Sequence, residues 1–297
     1  MSQSYEQLIE RFVKWAETCP DIRGAIIVGS RARIDHPADE WADLDIMVIT
    51  TNPEYYWSTT DWVANMGKPL LTFVEPTPGD DMERRVLFEG MLDVDFAIIP
   101  DKKVQPLLQG EISPQLAAEL RDVFGRGMHV LLDKDGKLVQ FRALISSIEK
   151  SSSHPPTYPE FLETINDFLY HAVWTVKKLQ RGELWTAKTC SDDYMKRLLL
   201  QMMIWHSHAI KGWNYDTWFR GRYLEEWVDR RALEQLRNAF AHYDKNDIIR
   251  ALLATMDMFQ WIAMETGEKL GYPYPTEADE SITGWIRYCF SKKSDSK

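Results

Sequence analysis

The hydrophobic period of this chain changes at one place, and that change constrains how many cores the chain must build. Up to about residue 150, short apolar runs of strand length alternate with helical patterns; afterwards the spacing of apolar residues is helical almost throughout. The change falls at Ser151-Ser152-Ser153-His154-Pro155-Pro156. Two prolines after a serine run can continue neither a helix nor a sheet ladder, so this stretch reads as a linker. The predicted domains are 1–150 and 155–290, and 297 residues are enough for two such cores.

In the first part, Ala25-Ile26-Ile27-Val28 is a compact apolar run closed by Gly29, the pattern of a buried strand. Leu44, Ile46 and Val48 alternate with Asp43, Asp45 and Met47, the period-two pattern of a strand with two unlike faces. Further strands are predicted at 70–74, 86–88 and 129–132. A reversal at Glu89-Gly90-Met91 leads into a strand over 94–99 that Pro100 ends. Helices are expected at 4–18, 57–66 and 114–124, and in the second part at 159–181, 192–211, 224–242 and 246–267. The tail Ser-Lys-Lys-Ser-Asp-Ser-Lys reads as frayed. Of the 12 tryptophans, eight lie after residue 150, and most are expected to fill core layers.

Composition excludes several classes. Forty-five acidic against 35 basic residues give a net charge of −10, and the surplus is local, −9 over 1–150 and −1 over 151–297. An acidic head without a basic stripe opposes a nucleic-acid polymerase, because phosphate neutralisation carries most such affinity. The same field favours a cationic small-molecule partner. No run of apolar residues is long enough to span a bilayer, and the first 17 residues lack the apolar core of a secretory signal. Cys19, Cys190 and Cys289 are widely spaced and unlike metal ligands, which suits a cytoplasmic protein with inert thiols.

Three motifs carry chemistry. Gly29-Ser30-Arg31-Ala32-Arg33 follows a buried strand, where a Gly-Ser turn leaves N–H groups and a hydroxyl for phosphate oxygens and the arginines can add charge-assisted contacts. Asp43-Leu44-Asp45 opens a strand, so both carboxylates project from one face. Two such charges repel unless a cation sits between them, and hard oxygen ligands suit Mg²⁺. Asp93-Val94-Asp95 is again same-face by period two, and Asp95, nearer the apolar run that follows, is the expected third carboxylate. Each motif alone has a bland explanation as a turn, a solvated strand edge or a hairpin edge. In this order they make a two-metal site for in-line attack on a nucleotide α-phosphate.

This combination resembles the nucleotidyltransferase superfamily that includes DNA polymerase β, and more narrowly the aminoglycoside 6-adenylyltransferases, which adenylylate streptomycin. The narrower likeness is carried by Gly29-Ser30-Arg31, Asp43-Leu44-Asp45, 95–100 and 130–135. It extends through Val176-Lys177, Arg181, Glu183, Met202-Met203, Trp205-His206 and Lys211-Gly212. It departs from the family at Arg33 and at Asp167. The resemblance implies an α+β fold, a nucleotidyltransferase-type mixed sheet with helices followed by a helical bundle. It implies Mg²⁺ on Asp43, Asp45 and Asp95, with Asp95 also a general base. It implies an ATP triphosphate held by Gly29, Ser30 and Arg31, with Lys177 reaching a phosphate. Glu183, Trp185, Asp192 and Asp193 are candidates to meet the cationic groups of an aminoglycoside.

The expected activity is therefore transfer of AMP from ATP to an aminoglycoside hydroxyl, conferring antibiotic resistance. Alternatives keep the chemistry and change the acceptor, to a lincosamide, another metabolite or a protein hydroxyl, or keep ATP binding without turnover as a regulator. Two patterns read as decoys. Arg237 to His242 fits the R-x₄-H spacing of helical ribonucleases, and His206 and His208, two apart on a helix, face different ways and form no metal pair.

Overall fold

The computed structural model describes residues 4–77, 81–110, 112–148 and 154–291. It divides into two compact units, Met1–Lys150 and Ser151–Lys297. The serines of the expected linker and residues 292–297 of the tail lie outside the described residues.

The first unit opens with α1 (Tyr5–Thr18), whose Ser4 and Gln7 form a reciprocal capping box. Its apolar face, Leu8, Phe12 and Ala16, is fully buried. Six strands follow: β1 (Ile22–Val28), β2 (Leu44–Thr50), β3 (Pro69–Pro76), β4 (Met82–Phe88), β5 (Leu92–Pro100) and β6 (His129–Asp133). They form one mixed sheet in the order β3-β4-β5-β2-β1-β6, in which β2 and β5 pair in parallel and every other pair is antiparallel. The predicted reversal between β4 and β5 is present, with Gly90 and Met91 both at positive φ.

Alternation along the strands sends two sets of side chains to two cores. Leu44, Ile46, Val48, Val94, Phe96 and Ile98 pack with α1 and with α2 (Pro53–Ser58). Met47, Ile49, Ile99, Ile26 and Val28 face the other way, toward α3 (Val104–Gln109), α4 (Pro114–Phe124) and α5 (Lys137–Ser147). The 130–135 stretch is structural. Lys134 Nζ donates to the carbonyls of Ala16 (2.9 Å) and Cys19 (2.7 Å) at the end of α1, and Asp133 accepts from the N–H groups of Leu138 and Val139 that open α5.

The second unit is helical, as expected: α6 (Tyr158–Gln180), α7 (Leu184–Thr189), a π turn over Cys190–Tyr194, α8 (Met195–Lys211), α9 (Leu224–Trp227), α10 (Arg230–Ala239), α11 (Lys245–Leu270) and α12 (Thr276–Ser291). Its core joins Phe168 of α6 to Phe259 of α11, stacked at 3.7 Å between ring centroids, with Leu199, Met202 and Trp227.

Two helix expectations need correcting. The 57–66 stretch is not one helix: α2 ends at Ser58, where the Thr59 hydroxyl turns back to Tyr55 O, and a 3₁₀ turn follows over Asp61–Asn65. The 224–242 stretch breaks at Val228, because Asp229 caps a new helix by accepting from the N–H groups of Arg231 and Ala232. Helices α3, α5, α7 and α12 were not expected from periodicity.

Candidate active site

Register places the site. In the β1–β2 pair, Val28 lies opposite Asp45; in the parallel β2–β5 pair, Asp45 lies opposite Asp95. The chain leaving β1 turns through a 3₁₀ segment, Gly29–Ala32, beside Asp45. Gly29 has φ +68°, and a Cβ there would stand 2.9 Å from Asp45 Cγ and fall directly on its carboxylate. Only glycine adopts this backbone at no steric cost and leaves that space open. The turn is closely backed from below, since a Cβ on Gly127 would collide with Ala32 O.

The structure brings the three predicted carboxylates together. One oxygen from each of Asp43, Asp45 and Asp95 lies within 4.8 Å of the others. Asp43 and Asp45 are half-buried and Asp95 is buried, 7% exposed. Burial pushes the Asp95 carboxyl up to about 7; Arg85 opposes the shift and the neighbouring Asp45 adds to it. Asp93, at the exposed end of β5, is also raised, by burial and then by Asp43, but stands outside the trio.

Two buried oxygens at this place have no hydrogen-bond partner, Ser30 Oγ and Asp95 Oδ1. Buried polar atoms are nearly always satisfied, so an orphaned hydroxyl and an orphaned carboxylate oxygen point to a ligand. Three converging hard oxygens fit a small divalent cation, and the Ser30 hydroxyl fits a phosphate oxygen.

Arg31 has a role on the main chain that its sequence position did not suggest. Arg31 spends its guanidinium on the main chain: Nε donates to Asp43 O (3.0 Å) and one Nη to Ala42 O (2.8 Å), and the group lies 3.7 Å over the Tyr5 ring. The Tyr5 hydroxyl in turn accepts from the Asp93 N–H at 3.2 Å. Arg31 thus braces the segment that delivers Asp43. Arg33 closes the 3₁₀ turn, its N–H donating to Ser30 O at 3.4 Å, and its side chain is half-buried. Sequence reasoning missed Tyr5 and Arg85, whose Nη2 sits 3.2 Å from Asp95 Oδ2. Continuing the period-two pattern of β4 back from Val86 would have put Arg85 and Glu83 on the carboxylate face.

A family model described as streptomycin adenylyltransferase matches residues 2–289, nearly the whole chain. The chain belongs to the streptomycin adenylyltransferase family. Among curated relatives of this family member, an aminoglycoside 6-adenylyltransferase of Bacillus subtilis is 24% identical over 98% of this chain and 100% of its own length. Another, from Campylobacter jejuni, is 23% identical over 96% of this chain and 95% of its own. A solved structure of an aminoglycoside 6-adenyltransferase from Bacillus subtilis aligns over 97% of this chain and 99% of its own, at 21% identity and a TM-score of 0.45.

In the second unit of this adenylyltransferase-family chain, Lys177 is exposed on α6. The acids named as acceptor candidates already have cationic partners. Glu183 meets Lys178 (2.7 Å) and Arg181 (2.5 Å), Asp192 meets Lys188, and Asp193 meets Arg197 (3.2 Å). Trp185 is 73% exposed, with Tyr243 6.2 Å away between ring centroids. The ribonuclease-like spacing gathers no site: α10 ends at Ala239, and His242 bonds to Asp247 at 2.9 Å. His206 and His208 are both buried and have separate partners, His206 pairing with Glu265 and His208 with Tyr215 O. Among the described residues, no helix is long and apolar enough to cross a membrane.

Proposed function

We propose that this chain transfers the adenylyl group of ATP to a hydroxyl of a streptomycin-like aminoglycoside with Mg²⁺, and so protects a bacterium that expresses it. The observation that carries this reading is the convergence of Asp43, Asp45 and Asp95 beside the Gly29-Ser30 turn. The names of the two curated relatives support the acceptor class.

Asp43, Asp45 and Asp95 would hold Mg²⁺, which when bound neutralises charge on the α-phosphate and on the departing pyrophosphate. The Ser30 hydroxyl, buried without a protein partner, donates to a phosphate oxygen. Arg33 is the proposed additional phosphate contact. Asp95 Oδ1 accepts the proton of the acceptor hydroxyl, a role suited to a buried carboxylate oxygen that has no partner within the protein. The acceptor oxygen forms its bond to the α-phosphorus as the bond to the bridging oxygen breaks, releasing pyrophosphate. The net charge of −9 over residues 1–150 favours a polycationic acceptor.

A susceptible bacterium expressing the chain should grow on streptomycin and remain sensitive when it carries Asp45→Asn. Sensitivity to every aminoglycoside in a panel, with the protein present and folded, would overturn the substrate assignment.

A further inference from the structure

Adjacent arginines on β4 point to opposite faces of the sheet. Arg84 is 4% exposed and serves the fold, donating to Tyr56 O at 3.0 Å and to Thr72 Oγ1 at 3.1 Å. Arg85 lies on the carboxylate face, directly across the β4–β5 pair from Asp95. Its Nε approaches Glu75 at 2.7 Å and Glu83 at 3.1 Å, while its Nη2 approaches Asp95 Oδ2 at 3.2 Å. One planar guanidinium is gripped on one side by two acids of β3 and β4 and on the other holds the third carboxylate of the site.

We propose that Arg85 is a positioning residue for Asp95, fixing one carboxylate oxygen so that the other, Oδ1, stands ready for the acceptor proton. The inference rests on the function proposed above. Its physical basis is the crowding of like charges. Asp45 lies opposite Asp95 in register, and two adjacent carboxylates repel. Without a counter-charge from the other side, the Asp95 side chain would swing away from its neighbour. Arg85 supplies that charge permanently, and its attachment to Glu75 and Glu83 keeps it from following Asp95. A lysine, a point charge on a flexible stem, cannot grip both sides at once. The clamp holds only Oδ2; Oδ1 remains buried and without a partner, and fixing the first oxygen fixes the direction of the second. A catalytic group displaced by about 1 Å can lose roughly 10²-fold in rate, so orientation of this kind is large enough to measure.

The test compares Arg85→Met, Arg85→Lys and the unmodified protein by crystallography and by steady-state AMP transfer to streptomycin. In the Met variant Asp95 should turn so that its oxygens leave the 4.8 Å cluster with Asp43 and Asp45. Its kcat should fall about 10²-fold while the KM for ATP stays within about twofold, and Arg85→Lys should recover part of the loss. Three results would overturn the proposal: Asp95 unmoved in the Met variant, kcat within about twofold of the unmodified protein, or equal losses of kcat and of nucleotide affinity. Should the Met variant fail to fold, the Lys variant decides, because full activity there removes the need for a two-sided grip. If the unmodified protein transfers AMP to no acceptor, the functional reading fails by itself. The position of Asp95 in the variant crystals still decides the role of Arg85.

Discussion

Gly29 and Asp45 stand so close that no side chain fits between them: a Cβ on Gly29 would lie 2.9 Å from Asp45 Cγ and overlap its carboxylate. The φ of +68° at Gly29 adds a backbone cost of about 1 kcal/mol for any other residue. Gly29→Ala should therefore lose about 10²-fold in kcat, by pushing the Asp45 carboxylate aside, while stability drops by only about 1–2 kcal/mol. Thermal melts and turnover measured on the same preparation check this. A large loss of stability with unchanged specific activity of the folded fraction would reverse the assignment.

Arg31 divides two roles cleanly. Its guanidinium holds Ala42 O and Asp43 O, so Arg31→Ala should lower kcat about tenfold or more and leave the KM for ATP nearly unchanged. A triphosphate ligand would show the opposite split, a raised KM with kcat preserved. Steady-state kinetics over an ATP series separates them.

Much of this arrangement was legible in the sequence and some was not, for identifiable reasons. Period-two alternation at Leu44, Ile46 and Val48 located β2 and the shared face of Asp43 and Asp45. Asp95 was the expected third acid because it runs into the apolar stretch of its strand; the parallel register of β2 and β5 that sets it opposite Asp45 has no local pattern to announce it. The bracing role of Arg31 was not legible, because its partners are main-chain carbonyls, which carry no residue signature. Helix α5 escaped notice because Gln140, Arg142 and two serines interrupt its apolar positions. The break at Val228 was hidden because Asp229 reads as one more polar residue on a helix face until its capping bonds are seen.

The pKa of Asp95 makes stability depend on pH in a definite direction. A carboxyl raised from 3.8 to about 7 is neutral in the folded chain over a range where the unfolded chain is ionised. Stability from this group is thus fully present below 3.8 and is lost as pH rises through 7, at most about 4 kcal/mol in all. Urea unfolding without divalent cations should show the unmodified protein losing stability relative to Asp95→Asn between pH 4 and pH 8. Equal pH dependence in the two proteins would contradict the burial argument.

Lys196 in the second unit gives the mirror case. Burial pushes its ammonium down to about 8, although Ser191 O and Thr255 Oγ1 lie within 2.9 Å and Asp192 partly offsets the shift. Between the folded value and the ordinary 10.5, the unfolded chain binds the extra proton, so stability rises with pH across that window. Relative to Lys196→Met, the unmodified protein should gain up to about 3 kcal/mol from pH 8 to pH 10.5, read from urea midpoints at each pH. A flat difference would show that the ammonium stays charged.

Asp43, Asp45 and Asp95 are proposed to form one metal-dependent centre for adenylyl transfer. The deciding experiment incubates α-³²P-labelled ATP with streptomycin and Mg²⁺, with chromatography of the drug and assay of pyrophosphate, for the unmodified chain, Asp43→Asn and Asp45→Asn. Labelled streptomycin and equimolar pyrophosphate should come from the unmodified chain, be abolished by chelation and be absent from both folded variants. Full transfer by either Asn variant, or no transfer by the unmodified chain to any aminoglycoside, would contradict it.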